Sequence, residues 1–346
     1  MGKLTLVLLA LVIAGPAHAQ QLKIATLAPE ASEWMQALRA GAKEIRERTE
    51  SRVQFKIFGG GIQGSDTAVL RKMRIGALHG GAFTPIALND VYADIDLYGM
   101  PLVFASEDEA AYVRERMDAR LADGLEEAGF VSFGFAATGF AKIMSNHPVH
   151  GVADLEGKKV WVPEGDQLSY AAMLALKLSP QTLPLTDVMT GLQTELIDII
   201  PVSPIGALVM QWHTKVKYVT DMPLVYTVGL LVIDKRAFNK LQPGDQAIVR
   251  EVMSRIYAEY DKKNLVDDAG AMQALLNAGI KRIIPDQQEI QEIRDILKVT
   301  NRSFAEEGEL SLELYDEMLS YVAEYRSENG QPACEPQAED AGETVC

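Results

Sequence analysis

Cysteine is nearly absent from this sequence of 346 residues, and its two cysteines, Cys334 and Cys346, both lie close to the C-terminus. Without a cysteine elsewhere, the fold has no thiol nucleophile and no thiolate metal ligand. In an oxidising compartment the two thiols could close a small intrachain loop or pair between chains, and the sequence leaves both open. The tail over 327–346 is rich in Glu, Asp, Pro, Gly and Gln, a composition that predicts disorder.

Positive charge is also scarce, since 33 Lys and Arg residues stand against 48 Asp and Glu residues, giving a formal net charge of −15. Such a field repels nucleic acid and anionic lipid surfaces. We therefore expect no nucleic-acid partner. The net charge does not identify a ligand, because a basic pocket can lie inside an acidic protein.

Long hydrophobic runs are missing apart from one near the N-terminus. Lys3 precedes an apolar run over 4–14, a Gly-Pro pair follows, and an Ala-His-Ala triplet ends at Ala19. This three-part pattern predicts a cleaved secretory signal peptide over 1–19. The run is too short to cross ~30 Å of hydrocarbon, which needs roughly 20 residues. We expect an exported, periplasmic protein whose mature chain begins at Gln20.

Motifs of catalysis and cofactor binding are lacking as well. The stretch 59–64 formally fits a dinucleotide-binding G-x-G-x-x-G, but 76–88 contains no acidic residue for the ribose, so we interpret it as a tight turn beside a cleft. His147 and His150 are separated by Pro148 and cannot share a helical face. There is no nucleophile elbow and no Walker phosphate loop. We expect no cofactor, no metal and no catalytic residue.

Strand-like and helical patterns alternate along the chain, which predicts an α/β fold with a mostly parallel sheet. The pattern indicates two lobes joined by strands that cross between them, with a long helix over 243–277 that is interrupted near Gly270. Lobe one is predicted to hold 20–140 and 225–265. Lobe two is predicted to hold 141–224 and 266–326.

Four segments resemble the solute-binding proteins of tripartite ATP-independent periplasmic (TRAP) transporters, the family of the C4-dicarboxylate receptor. They are LKIATLAPEASEW, RVQFKIFGGGIQGSD, VADLEGKKVWVPEGD and LTDVMTGLQTELID. The resemblance covers the mature chain to about Tyr325. It implies a two-lobed binding protein, braced by a long helix, that closes over a small organic solute and delivers it to the membrane subunits of a TRAP transporter. We expect a monomer or a weak dimer.

The same resemblance implies an arginine of the second lobe that clamps the ligand carboxylate through two hydrogen bonds, assisted by a second arginine from the preceding strand. This sequence departs from the family at both positions. Trp161 stands where the clamp should be, and Ala141, followed by Lys142, stands at the second position. The expectation of an acidic ligand is therefore weakened.

Three ligand hypotheses follow, ranked in this order. The first is a neutral or zwitterionic solute held by Phe140, Trp161 and Tyr170, with Glu164 or Asp166 accepting hydrogen bonds. The second is a cationic amine over Trp161 balanced by those acids. The third is a carboxylate paired with Lys142 or another basic residue. Alternatively, the two acids simply cap the helix that follows.

The candidate ligand-binding residues come from both predicted lobes. They are Trp34, Gln63, Phe83, Phe140, Lys142, Trp161, Glu164, Asp166, Tyr170, Leu185, Ser203 and Trp212. The competing interpretations are an exported α/β enzyme, which would need a nucleophile and base or a metal cluster in the cleft, and a ligand-sensing protein on the same scaffold.

Overall fold

The computed structural model describes residues 19–330. The predicted signal peptide up to residue 18 and the two C-terminal cysteines lie outside the described residues. The predicted disordered tail lies outside them from residue 331 onward, whereas its first residues still belong to a helix that continues to Glu328.

Nine strands form one continuous sheet across the described residues. They are β1 (Gln20–Thr26), β2 (Val53–Phe58), β3 (Gly80–Phe83), β4 (Phe130–Ser145), β5 (Lys159–Pro163), β6 (Ser179–Leu183), β7 (Ile199–Val202), β8 (Tyr218–Asp234) and β9 (Lys281–Ile283).

Ten α-helices connect and cover these strands within residues 19–330. They are α1 (Glu33–Arg48), α2 (Asp66–Arg74), α3 (Glu107–Glu127), α4 (Gln167–Ala175), α5 (Val188–Gln193), α6 (Pro204–Val209), α7 (Lys235–Phe238), α8 (Pro243–Asn277), α9 (Gln287–Glu306) and α10 (Leu312–Glu328). Ser32 caps α1 by accepting a hydrogen bond from the Met35 amide.

Two long strands, β4 and β8, pass through both lobes. The strand order is β2-β1-β3-β8-β4-β7-β5-β6, with β9 on β8. The end of β8 pairs with β3 in the first lobe, whereas its start pairs with β9 in the second. The end of β4 pairs with β7 in the second lobe. The predicted two-lobed α/β fold with crossing strands is confirmed.

The β4 strand runs over 16 residues and contains two glycines. Its two glycines look like breaks in a strand, but the fold uses them as irregularities in the β4–β8 ladder. Gly134 and Gly139 have φ angles of 108° and 83°, and the pairing register shifts beside each of them. A residue with a Cβ would be strained in these conformations.

The long helix α8 packs on elements of both lobes. Its first half buries Val249, Val252 and Met253 in a core with β1 and β2. Its last turns bury Leu275 in the core that surrounds Trp161. The predicted interruption near Gly270 is wrong, because the helix is continuous. A glycine costs a helix only about 1 kcal/mol relative to alanine, and packing at both ends outweighs that cost.

The C-terminal helices divide between the lobes. Ile293 and Leu297 of α9 pack in the core beside β5 and α4. In contrast, Leu314 and Met318 of α10 belong to the core of the first lobe, against α3. The assignment of all of 266–326 to lobe two, like the other lobe boundaries, stays a prediction.

A buried arginine ties α3, β4, β8 and α8 together. The Arg114 guanidinium donates to Asp261 Oδ1 at 2.8 Å, to Asp118 Oδ2 at 3.1 Å, to the Tyr226 hydroxyl at 3.2 Å and to the Phe135 carbonyl at 2.9 Å. The same Asp261 oxygen accepts from the amide of Ala137 at 2.6 Å. These bonds satisfy backbone groups at the irregular part of β4 and fix α8 over it.

Replacing Arg114 by methionine should destabilise the protein by about 3–5 kcal/mol, because two carboxylates lose the cation that compensates their burial. Urea unfolding followed by circular dichroism measures the loss. Arg120→Met is the matched control, since Arg120 lies on the same helix and forms exposed ion pairs. An equal loss in both variants would contradict the central role of Arg114.

Candidate functional site

A cavity of about 380 Å³ lies between the lobes, where β4 and β8 cross. The first lobe contributes the end of β1, Trp34 of α1, the start of α2 and the end of β3. The second lobe contributes the end of β5, the start of α4, the end of β7 and Trp212. Chain segments that follow the carboxyl ends of strands therefore meet in it, as in other open α/β folds.

Eight of the twelve predicted site residues line this cavity. They are Trp34, Phe83, Trp161, Glu164, Asp166, Leu185, Ser203 and Trp212. Ala141, which stands at the position of the family's second arginine, lines it as well. Ser203 also caps α6 by accepting from the Gly206 amide at 3.2 Å.

The other four predicted residues point elsewhere. Gln63 accepts hydrogen bonds from the Lys72 ammonium through its carbonyl and its side chain. Phe140 is buried against the Tyr226 ring, with centroids 5.2 Å apart. Tyr170 is 39% exposed on the outer face of α4. Neighbouring residues of a strand or helix face different sides, and the sequence did not show which side faced the cleft.

The ammonium of Lys142, the fourth of these residues, is bound outside the cavity. It donates to Asp221 Oδ1 at 2.6 Å. Arg282 Nε binds the other oxygen of that carboxylate at 2.8 Å. Burial raises the pKa of Asp221, but the hydrogen bonds and charges of Lys142 and Arg282 outweigh burial and hold it below its usual value.

Trp161 occupies the clamp position with its ring rather than with a free donor. Its indole N–H donates to the Leu183 carbonyl at 3.0 Å, and its ring meets Trp212 edge to face with centroids 5.3 Å apart. The two side chains are only 5% and 2% exposed. Because this N–H is already bound to the backbone, Trp161 offers a ligand an apolar and π surface.

A hydrogen bond joins the two lobes at the exposed mouth of the cavity. Thr67 Oγ1, in the first turn of α2, donates to Glu164 Oε2 in the loop between β5 and α4 at 3.1 Å. Asp166 is the N-cap of α4 and accepts from the Ser169 amide at 2.8 Å. The capping interpretation thus holds for Asp166, whereas Glu164 contacts the opposite lobe.

Sequence reasoning missed a stripe of cavity residues on α8. Tyr257, Tyr260 and Asn264 all line the cavity. Their spacing of three and four places them on one helical face, and this signal was available in the sequence. Asn264 Nδ2 donates to the Ala137 carbonyl at 2.6 Å, which joins the stripe to β4.

Asp66, in the first turn of α2, lies at the cavity mouth and has a perturbed pKa. Burial, followed by the charge of Glu164, raises the pKa of Asp66 to about 7. Burial also raises the pKa of Asp166, against the opposing hydrogen bonds from Ser169. The cleft therefore brings carboxyl groups from both lobes together at a cost in charge repulsion and desolvation.

The fold and its cleft define a two-lobed solute-binding protein. Residues 24–307 match the family described as bacterial extracellular solute-binding protein, family 7. The chain belongs to this family, and it is a solute-binding receptor of the TRAP type, a class of periplasmic proteins.

Named relatives agree with this assignment. The 2,3-diketo-L-gulonate-binding periplasmic protein YiaO of Escherichia coli is 25% identical over 65% of this chain and 68% of its own. The sialic acid-binding periplasmic protein SiaP of Vibrio cholerae is 20% identical over 84% of this chain and 92% of its own. A TRAP solute-binding protein of Haemophilus influenzae, solved with L-gulonate, superposes with a TM-score of 0.80 at 20% identity, covering 88% of this chain and 99% of that one.

Two features are absent from the described residues. No helix within 19–330 is long and apolar enough to cross a membrane. In the same part of the chain, no group of three or more His, Cys, Asp or Glu side chains is arranged to hold a metal ion.

The raised pKa of Asp66 predicts a specific pH dependence of stability. Between the ordinary value of 3.8 and about 7, the folded protein keeps a proton that the unfolded chain has lost, so the free energy of unfolding should fall as pH rises through this window. Asp66→Asn should make this fall shallower, which thermal unfolding at pH 4 to 8 measures. Burial also raises the pKa values of Asp96, Asp118 and Asp166, and these acids account for the slope that remains. Asp108→Asn, an exposed acid in the first turn of α3, should leave the wild-type slope unchanged. A slope in Asp66→Asn as steep as that of the wild type would contradict the assignment.

Proposed function

We propose that this protein is exported, loses its signal peptide after Ala19, and captures a small organic solute in the cleft between its lobes. Closure around the solute creates the form that docks on the membrane subunits of a TRAP-type transporter. The receptor acts as a monomer or a weak dimer.

The observation that carries this proposal is the hydrogen bond from Thr67 to Glu164 across the mouth of a cavity of about 380 Å³. A bond of this kind forms only when the lobes are close, and it breaks when they separate. The crossing strands β4 and β8 provide the connection about which hinge closure takes place. A cavity of this size is suited to a small organic molecule.

We also propose that the solute is not a simple carboxylate clamped by arginine, which is the mode of binding that the resemblance to the family implied. The Haemophilus influenzae relative holds L-gulonate. In this chain Trp161 and Ala141 line the cleft where arginines are expected, and Lys142 binds Asp221. Burying a carboxylate without its charged partner forfeits about 1.5–3 kcal/mol for each lost hydrogen bond.

A receptor of this kind should retain its solute during a gentle purification. We expect that protein purified natively from the periplasm of its host, then denatured, releases a small molecule in near-stoichiometric amount, identified by mass spectrometry of the filtrate. The intact mass of the same sample should correspond to a chain that begins at Gln20.

Ala87→Trp provides a blocked-cleft control, because Ala87 lines the cavity and is only partly buried. This variant should release little or no solute. Ala40→Trp, on the exposed side of α1, should release as much as the wild type. Equal release from both variants would mean that the molecule binds elsewhere. A folded wild type that releases nothing and gains no stability from any solute would overturn the proposed function.

A further inference from the structure

Two carboxylates, one from each lobe, line the cavity at the mouth of the cleft. Asp66 begins α2 in the first lobe, and Glu164 follows β5 in the second. Both line the cavity, and the inter-lobe hydrogen bond of Glu164 is made by the residue next to Asp66. Closing the lobes thus brings two acidic groups together.

The nearby ammonium groups are engaged with other partners. Lys72, on the same helix as Asp66, donates to the carbonyl and side-chain oxygens of Gln63. Lys142 donates to Asp221 on the other side of its strand. Among the described residues that line the cavity, none is Lys, Arg or His. The two carboxylates therefore have no protein cation between them.

The walls behind these acids are aromatic. Trp34, Trp161, Trp212, Tyr257 and Tyr260 all line the cavity. Aromatic faces attract organic cations as well as apolar groups. The buried Tyr257 hydroxyl adds a polar group, because the described residues provide no acceptor for its proton.

We propose that the cleft takes a small organic cation, a protonated amine with an apolar body, whose charge lies at the cleft mouth between Asp66 and Glu164. This proposal rests on the proposed receptor function and names the class of its solute. It shares the cationic solute of the second ligand hypothesis, but it places the charge between Asp66 and Glu164 rather than over Trp161.

Charge balance explains how such a solute would favour closure. In the empty protein, closing the lobes requires two like charges to approach, or one of them to bind a proton. An ammonium between them replaces the repulsion by two charge-assisted hydrogen bonds. A carboxylate solute would instead add a third negative charge to the same space. The cation therefore stabilises the closed state, whereas an anion opposes it.

A set of matched probes tests the charge of the solute. For each of several apolar bodies, such as phenylethyl and butyl, the amine, the alcohol and the carboxylate are compared by thermal shift and by calorimetry at pH 7.5. We expect amines to raise the transition temperature and to bind at least tenfold more tightly than the alcohol or carboxylate of the same body. Preference for an alcohol or a carboxylate would overturn the cation proposal while leaving the receptor function intact. If no amine raises the transition temperature or binds, the cation proposal is also overturned. The solute-release experiment then decides whether the receptor function stands.

Isosteric variants test the two acids. Asp66→Asn should weaken amine binding about tenfold or more, in line with the loss of a charged hydrogen bond. Glu164→Gln should weaken it less, because Glu164 is exposed and its charge is screened by solvent. Asp187→Asn is the matched control, an exposed acid of the second lobe outside the cavity. Unchanged amine affinity in Asp66→Asn, with its fold intact by circular dichroism, would contradict the proposed position of the charge.

Proton release gives a readout that a structural role of Asp66 would not produce. Glu164 is the charged group that faces Asp66 across the cleft, and Lys72 on its own helix binds Gln63. Asp166 is the other acid that lines the cavity, and burial raises its pKa as well, next to the buried Asp96. At pH 6, where Asp66 is largely protonated in the empty protein, amine binding should release close to one proton. Calorimetry in buffers of different ionisation enthalpy measures this proton. Asp66→Asn should abolish its release, and release that persists would contradict the proposal.

Discussion

The antiparallel pairing of β4 with β8 is the constraint on which the two-lobed structure depends. Each strand runs from the part of the sheet that lies in one lobe to the part that lies in the other, so the lobes cannot be separated without breaking this ladder. The strands that cross also form the floor of the cleft, where Thr138 and Thr227 bind each other at 2.7 Å. One set of backbone hydrogen bonds therefore connects the lobes and positions the cavity.

Such a ladder has to bend without exposing its polar groups, and the chain provides the means at particular residues. Gly134 and Gly139 adopt backbone angles that a side chain would strain. Asp261 and Asn264 of α8 bind the amide and the carbonyl of Ala137 between the two register shifts. Because Arg114 holds Asp261 in turn, hydrogen bonds connect the long helix and the irregular strand to α3 of the first lobe.

Much of this architecture could be predicted from the sequence because it follows from local patterns. The bounds of α8, Pro243–Asn277, coincide with the predicted helix over 243–277. Predictions failed where tertiary packing overrides a local signal. Gly270 looks like a helix break and is not, and the glycines of β4 look like strand ends and are not.

The candidate site was predictable to the extent that it follows the ends of strands. In this way the sequence predicted Trp161, Glu164 and Asp166, which line the cavity. Which side of β4 a residue faces depends on the bulges of that strand, and the sequence does not show the bulges. Lys142 was therefore expected in the cleft, whereas the structure places Ala141 there and Lys142 on Asp221. Tyr257 and Tyr260 were missed because a helix that braces two lobes was considered only as support.

The position of Asp66 shows how function and stability oppose each other here. An acid in the first turn of a helix is ordinarily stabilised by the helix dipole, which favours its charged form. Burial and Glu164 reverse that benefit, since together they raise the Asp66 pKa to about 7. The part of this cost that comes from Glu164 exists only while the lobes are closed. The repulsion between Asp66 and Glu164 therefore opposes closure of the empty receptor. A solute that neutralises the two carboxylates removes this repulsion. The same two carboxylates would then both select the solute and couple its binding to closure.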